Sequence, residues 1–371
     1  MKILQTPPRY APYIGGVENY CRSLSEELVS LGHEVSVLCA NEPSTRNETI
    51  NKVQVKRLGY VGKIANTNVT LSLPFKLMHE DFDVIHAHLP TPWSADWSGI
   101  VSRIKNKPLV VTYHNDITGK GINKYIAGIY NSTFLKFLLN RADKIIVTNK
   151  KYAGYSPYLK KYREKIIVIP PGVDLNKYRS TGKPKNKNTL FFLGILDEYH
   201  EYKGLDDLLK GILYVKKEIP GIKLIIGGEG RLKDKYIAKA KELGIQDNVE
   251  FAGFIPEEEK AGYYSQAEAF ILPSTSKEQE GFGMVLLEAM ACGTPVIASE
   301  VVGLADEIRE NRAGLIVAPK NPEKLSETIT FLLRDENLKK QTTLNAKKLI
   351  EENYSWKKTA KKTEETYKTL A

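Results

Sequence analysis

Two glutamates, Glu280 and Glu288, stand eight positions apart in "EQEGFGMVLLEAMACGTP", residues 278–295. An apolar run, "AFILP", precedes them, and a Gly-Phe-Gly turn leads into an apolar segment that stops at Gly-Thr-Pro. That pattern predicts a strand, a loop over 274–279 and a helix beginning near Gly281 to Gly283. Glu280 then lies at the loop edge and Glu288 about one and a half turns into the helix, so the carboxylates sit at different depths along one wall. Carboxylates accept paired hydrogen bonds from hydroxyls, which is how a sugar ring or a ribose is usually held. The small residues Gly281, Gly283, Ala289, Ala291 and Gly293 let main-chain amides at the helix start come close to a ligand. The alternative is an ordinary amphipathic helix with Glu288 in solvent. Against it, "VLLEAMA" surrounds Glu288 with apolar residues, where an unpartnered charge is unfavourable.

Three further stretches carry chemistry. Gly15 and Gly16 follow the first apolar run and open a helix, where paired glycines and a helix N-terminus suit an anion; an ordinary strand-to-helix turn fits as well. In "DFDVIHAHLP" His86 and His88 lie two apart on a predicted strand, hence on one face, and His114 ends the next strand in "VVTYHND". Histidines with carboxylates suggest a metal site, and Asp81 and Asp83 form a DxD. Those aspartates precede the strand, at the sheet end opposite the histidines, so no metal is expected; the histidines are structural or, for His114, in contact with substrate. Lys203 and Gly204, in "FLGILDEYHEYKGLDDLL", stand between a strand and a helix, where the lysine meets a phosphate or simply solvent.

These residues need strands to carry them. Short apolar runs alternate with amphipathic segments along both halves: "KILQT", a helix over 17–31, "HEVSVLCA", "VQVKRL", "DVIHAH", helices over 93–104 and 124–140, then "KIIVTN" and "KIIVIPPGVD". The rhythm restarts after a lysine-rich segment with "TLFFLGIL", "KLIIGG", "NVEFAG", "AFILP", "PVIAS" and "GLIVAP", with helices from Leu205, Leu232 and Pro256 between them. It is the βα signature of parallel sheets. We therefore expect an α/β protein of two doubly wound domains, residues 1–175 and 189–353, joined by a linker over 176–188. The stretch 354–371 reads as a helix packing back on the first domain. Ligands of such sheets bind at the carboxyl ends of the strands, so the expected site is a cleft where those ends face each other. The chain has 371 residues, 42% of them hydrophobic, 18 prolines, three scattered cysteines and a net charge of +10. Two globular domains, a reducing compartment and an anionic partner follow. The start, "MKILQTPPRY", is too short an apolar run for a signal peptide and no run is long enough to span a membrane, so the protein reads as cytoplasmic or peripheral.

Taken together, these stretches resemble glycosyltransferase family 4, the retaining nucleotide-sugar glycosyltransferases of GT-B architecture. The E-x7-E motif of Glu280 and Glu288 is the strongest element, supported by "GGVENY", "DVIHAH", "VVTYH", "IPPGVD", "IIGGEG", "VEFAGFI" and "YSW" in order along the chain. The resemblance implies that Glu280 contacts donor-sugar hydroxyls and Glu288 the ribose. It also implies that amides of Phe282 and Gly283 bind the sugar, and that Gly15, Gly16 and Lys203 cradle the diphosphate. His114 would lie beside the transferred sugar and the nucleobase near Phe254 and Ile255. One departure stands out: where the family has G-R-L followed closely by K-G, this chain has "GIL", with Ile195 in the arginine position and a longer stretch before Lys203. We expect His200 or Tyr202 to replace that arginine. The implied reaction is retaining, metal-independent transfer of a hexosyl unit from a nucleotide-diphosphate sugar to a hydroxyl of a lipid-linked or cell-envelope glycan, without a cofactor.

Residues 117–165 hold eleven Lys or Arg, Lys120 and Lys151 among them, against Asp143 and Glu164, with Tyr125, Tyr130, Phe134, Phe137, Tyr152, Tyr155, Tyr158 and Tyr162 interleaved. A basic, aromatic surface suits anionic headgroups or a lipid-phosphate acceptor; solvated helices with core aromatics fit equally. Two other functions are open: a sugar-nucleotide-binding protein with little turnover, which Ile195 favours, and a basic nucleic-acid-binding protein. No nucleic-acid signature is visible, so nucleic acid is not expected as a partner.

Overall fold

The computed structural model describes residues 1–13, 15–43, 47–64, 67–117, 122–277, 279–280 and 282–370, with the side chains of 122, 123, 151, 152 and 155 set aside. Lys120 and Gly281, and the side chains of Lys151, Tyr152 and Tyr155, singled out above, lie outside the described residues. The chain forms two compact units, Met1–Pro171 with Trp356–Ala371, and Gly172–Ser355.

Among the described residues the first unit contains ten strands: β1 (Lys2–Thr6), β2 (Glu34–Ala40), β3 (Glu48–Ile50), β4 (Val53–Leu58), β5 (Gly62–Ile64), β6 (Thr67–Val69), β7 (Val84–Leu89), β8 (Leu109–Tyr113), β9 (Lys144–Val147) and β10 (Ile166–Val168). Eight make one sheet in the order β10-β9-β8-β7-β1-β2-β4-β3, parallel except for β3, and β5 and β6 form a small antiparallel hairpin. β7 and β8 are buried along their whole length, because helices cover both faces of a parallel sheet. The strand order reverses between β1 and β7, so the crevice at their carboxyl ends is the switch point of this sheet. The helix expected over 124–140 is helical from Ile122 to Arg141 but widens to a π-turn over Asn131–Leu135, where the Asn131 amide donates to Ile117 O (3.0 Å) and to Tyr158 Oη (2.9 Å).

The second unit has six parallel strands, β11 (Thr189–Leu193), β12 (Lys223–Gly227), β13 (Val249–Gly253), β14 (Ala269–Leu272), β15 (Val296–Ser299) and β16 (Leu315–Val317), in the order β13-β12-β11-β14-β15-β16. Its switch point lies between β11 and β14. One sheet face packs Leu190, Phe192, Leu208, Ile212 and Ile271 together; the other packs Phe191, Tyr264, Phe270, Leu286 and Met290. Residues 176–188, expected as a linker, are bound to this unit: Tyr178 is buried, Asn186 N donates to Gln266 O (2.7 Å), and Lys185 Nζ donates to Ala267 O (2.8 Å). The helix expected from Pro256 begins at Lys260.

The boundary near the C-terminus is sharp. Tyr354 is buried in the second unit's core, and Val173 pairs with Ser355 in a β-bridge. The helix Trp356–Lys368 belongs to the first unit, where Trp356 packs edge-on against Tyr20 at 5.3 Å and Tyr367 reaches His86.

Candidate functional site

In the second unit the two loops that leave the switch point meet. After β11 the chain runs through a short 3-10 turn, Glu201–Lys203, and enters the helix Leu205–Glu218. Gly204 makes that entry possible: its φ is +77°, and a Cβ there would collide with the carbonyl oxygen of Pro273 at the end of β14. Thr275 fastens the second loop to the first, its N–H donating to Tyr202 O at 2.6 Å. Lys203 and Glu280, 77 positions apart in sequence, thereby form an ion pair at 3.2 Å, with side chains 15% and 6% exposed. Ser274 Oγ donates to the same Glu280 oxygen at 2.8 Å. Burial opposes charge on Lys203, but Glu280 beside it prevails and holds the ammonium above its ordinary value.

Glu288 lies on the helix Met284–Ala291, which opens at Gly283. That glycine has φ +90°, and a Cβ would stand 2.7 Å from Val302 Cγ1, so both backbone and packing call for glycine here. Glu288 is half-buried, not solvated, and Tyr264 Oη donates to its Oε2 at 2.7 Å. Burial pushes the Glu288 carboxyl above the usual carboxylate range and the Tyr264 phenol well above its own. Beside them Glu257 accepts from Lys260 (2.6 Å), Lys177 (3.0 Å) and Tyr178 Oη. Burial raises this carboxyl, but those donors outweigh it and hold it at about 2. Phe282 is buried against Tyr354, which leaves its main chain for ligand contact.

Other expected contacts fall differently. Phe254 is exposed, but Ile255 is a core residue whose side chain cannot reach a base; only its main chain is available. His200 Nδ1 lies 2.6 Å from Asp197 Oδ1, which also accepts from the Tyr199 and His200 N–H groups, so this ring is engaged within its own loop. Beside Lys203, whose Nζ stands 5.3 Å from its ring centre, Tyr202 is a phenol that burial pushes up to about 12. Ile195 is half-exposed.

In the first unit the switch point gathers Gln5 and Thr6 of β1, His86 and His88 of β7, and His114 just beyond β8. The three imidazoles are tiered, His86 to His88 at 4.8 Å and His88 to His114 at 5.6 Å between ring centres. His86 contacts Tyr367 Oη (2.5 Å) and Thr112 Oγ1 (2.7 Å), a structural role. Burial lowers His86 and His114 to about 3 and His88 well below its ordinary value. Asp81 and Asp83 are at the far end, where Lys2 Nζ and Lys2 N donate to them at 2.6 and 2.7 Å. At the Gly15-Gly16 turn the helix N-terminus already faces an anion. The Glu18 carboxylate, paired with buried Arg9 at 3.0 Å, folds back so closely that a Cβ at Gly15 would collide with it; the space beside Gly16 is open.

Sequence inspection missed Ser274, Tyr264, Gln5 and the Arg9–Glu18 pair. None has a local signal, because each acts on a partner set by strand order or by a turn. Against known families, residues 14–177 match the model "Glycosyltransferase Family 4" and residues 174–349 match "Glycosyl transferases group 1". The chain belongs to this glycosyltransferase family. The glycosyltransferase is 28% identical to an uncharacterised glycosyltransferase of Methanocaldococcus jannaschii, over 99% of this chain and 98% of the relative. It is 26% identical to the phosphatidyl-myo-inositol mannosyltransferase of Mycobacterium leprae, over 96% and 94%. Among solved structures, Anabaena HepE in complex with UDP and glucose matches with a TM-score of 0.80 and 19% identity over both whole chains. That likeness fixes the fold: each unit of the glycosyltransferase is a Rossmann-like half of the GT-B architecture.

Proposed function

We propose that this glycosyltransferase moves a hexosyl unit from a nucleotide-diphosphate sugar to a hydroxyl acceptor with retention at the anomeric carbon. The observation that carries the reading is the Lys203–Glu280 pair at the second switch point, with Glu288 on the helix that follows. In it Lys203 meets the diphosphate. Glu280 with the Phe282 and Gly283 amides holds the sugar, and Glu288 holds the ribose. Phe254 and the Ile255 main chain flank the base, and His114 lies beside the sugar.

Among the described residues the second unit offers no carboxylate pair arranged as acid and nucleophile: Glu280 is tied to Lys203 and Glu288 to Tyr264. We therefore favour front-face attack: the acceptor oxygen bonds to the anomeric carbon as the bond to the diphosphate oxygen breaks, and the departing phosphate takes the acceptor proton. The protein contributes position and charge. No metal is required in this scheme, and undiminished transfer in excess chelator would support it, whereas complete loss would contradict it.

The acceptor we propose is a lipid-linked or cell-envelope glycan at the cytoplasmic membrane face. Support comes from the helix Ile122–Tyr130 and the turn after it, which expose Tyr125 (74%), Ile126 (52%), Ile129 (66%) and Phe134 (54%) beside exposed Lys124 and Lys136. The basic set is partly structural: Arg141 pairs with Asp143 and Lys165 donates to Asn140 O and Ala142 O. No described helix is long and apolar enough to cross a membrane. Failure to bind anionic liposomes at low salt would count against docking. A panel of nucleotide sugars in a thermal-shift assay tests the donor, since binding raises the melting temperature by mass action. Ile195 favours the second reading, a binder with little turnover; slow hydrolysis of the nucleotide sugar without acceptor would exclude it.

A further inference from the structure

The histidine tier contains a hydrogen-bond chain that sets which nitrogen of His114 carries its proton. Gln5 Oε1 lies 2.8 Å from His88 Nε2, and His88 Nδ1 lies 3.3 Å from His114 Nε2. A carbonyl oxygen only accepts, so His88 donates from Nε2. A neutral imidazole has one N–H, which leaves the His88 Nδ1 lone pair facing His114 and requires His114 to donate from Nε2. The Cys21 thiol lies 4.0 Å from the same Gln5 oxygen (Sγ to Oε1). Burial keeps both rings neutral at physiological pH, so neither can donate from both nitrogens. Tyr20 packs edge-on against His114 at 4.8 Å and against His88 at 5.9 Å, which holds the two rings in place. His86 shares the tier but spends both nitrogens on Tyr367 and Thr112.

We propose that Gln5 and His88 are positioning residues that lock His114 in its Nε2–H tautomer, leaving Nδ1 as its sole acceptor nitrogen. That atom takes a hydrogen bond from a hydroxyl of the transferred sugar. The sugar contact rests on the function proposed above; the tautomer does not.

Long-range proton–nitrogen NMR on the full chain labelled with 15N-histidine reads the tautomer directly, with His114→Asn identifying the His114 signals. The expected wild-type spectrum has the proton on Nε2 of His114 and a pyridine-like Nδ1. Gln5→Leu should turn His114 into a mixture of tautomers and lower kcat by about 3- to 10-fold with KM for the donor kept, the weight of one neutral hydrogen bond. Thr112→Val cuts the His86 contact, outside the Gln5–His88–His114 chain, and should leave the His114 signals unchanged. A wild-type His114 protonated on Nδ1, or an Nε2–H tautomer that survives Gln5→Leu, overturns the proposal. If Gln5→Leu does not fold, the wild-type spectrum alone decides. An Nε2–H His114 in a protein that turns over no nucleotide sugar would sink the proposed function and leave the relay standing.

Discussion

Lys203→Met is the most informative perturbation because it separates two consequences of one contact. The substitution keeps the aliphatic stem and removes the ammonium 3.2 Å from Glu280, whose side chain is 6% exposed. Removing one partner of a buried pair strands the other charge and destabilises by about 3–5 kcal/mol. Ser274 still donates to Glu280, so the lower end, about 3 kcal/mol, is expected. For a unit the size of Gly172–Ser355 that lowers the melting temperature by about 6–12 °C. The neighbour raises the pKa of Lys203, so its stabilisation is complete below the ordinary lysine range and fades only as pH rises through the raised folded value. The deficit of the variant should therefore be flat between about pH 6 and 9. Loss of one charge-assisted contact to the diphosphate, about 1.5–3 kcal/mol, weakens donor binding by about 10- to 100-fold. Adding Glu280→Gln removes the stranded charge and should restore much of the stability but none of the donor affinity. Scanning calorimetry and titration with nucleoside diphosphates read the two effects. A single variant that melts with the wild type and binds donor equally well would refute both the pair and its role.

Glu288→Gln should weaken donor binding while leaving stability at neutral pH equal or higher. A carboxyl whose folded pKa is raised binds its proton more tightly when folded, so stability falls as pH rises through that window; the glutamine avoids this loss, and melts of the two proteins should converge in acid. Ile195→Arg places a guanidinium on a half-exposed position and should change stability by no more than about 0.5 kcal/mol; tighter donor binding in titration would support the vacant arginine role, and unchanged binding would count against it. Because burial holds His114 at about 3, kcat/KM should show no histidine limb between about pH 5 and 8, and a limb that disappears in His114→Gln would contradict the neutral ring. Tyr367→Phe leaves His86 Nδ1 without its partner in a buried site and should destabilise the first unit by about 1–3 kcal/mol in denaturant titrations.

Much of the scaffold was legible in the chain because parallel strands covered on both faces must be continuous apolar runs, as "DVIHAH", "KIIVTN" and "AFILP" are. The short polar strands β3, β5 and β6 carry no such run and were not anticipated. The segment 176–188 looked like a linker because it is polar and rich in lysine with a Gly and a Pro, yet Tyr178 finds its partner in Glu257, 79 positions later.

By itself the sequence determined the long apolar strands, their parallel pairing and the presence of Glu280, Glu288 and His114 in the segments that follow strands, because these depend on local pattern. Only the tertiary structure decided what those groups are. Strand order put the loops after β11 and β14 side by side and joined Lys203 to Glu280. Packing set Tyr264 on Glu288 and buried the Ile255 side chain in the core. The stacking of β1, β7 and the chain beyond β8 linked Gln5 through His88 to His114. Hydrogen bonds and burial act across a few ångströms of space, and residues tens of positions apart are brought within that range only when the sheets have formed.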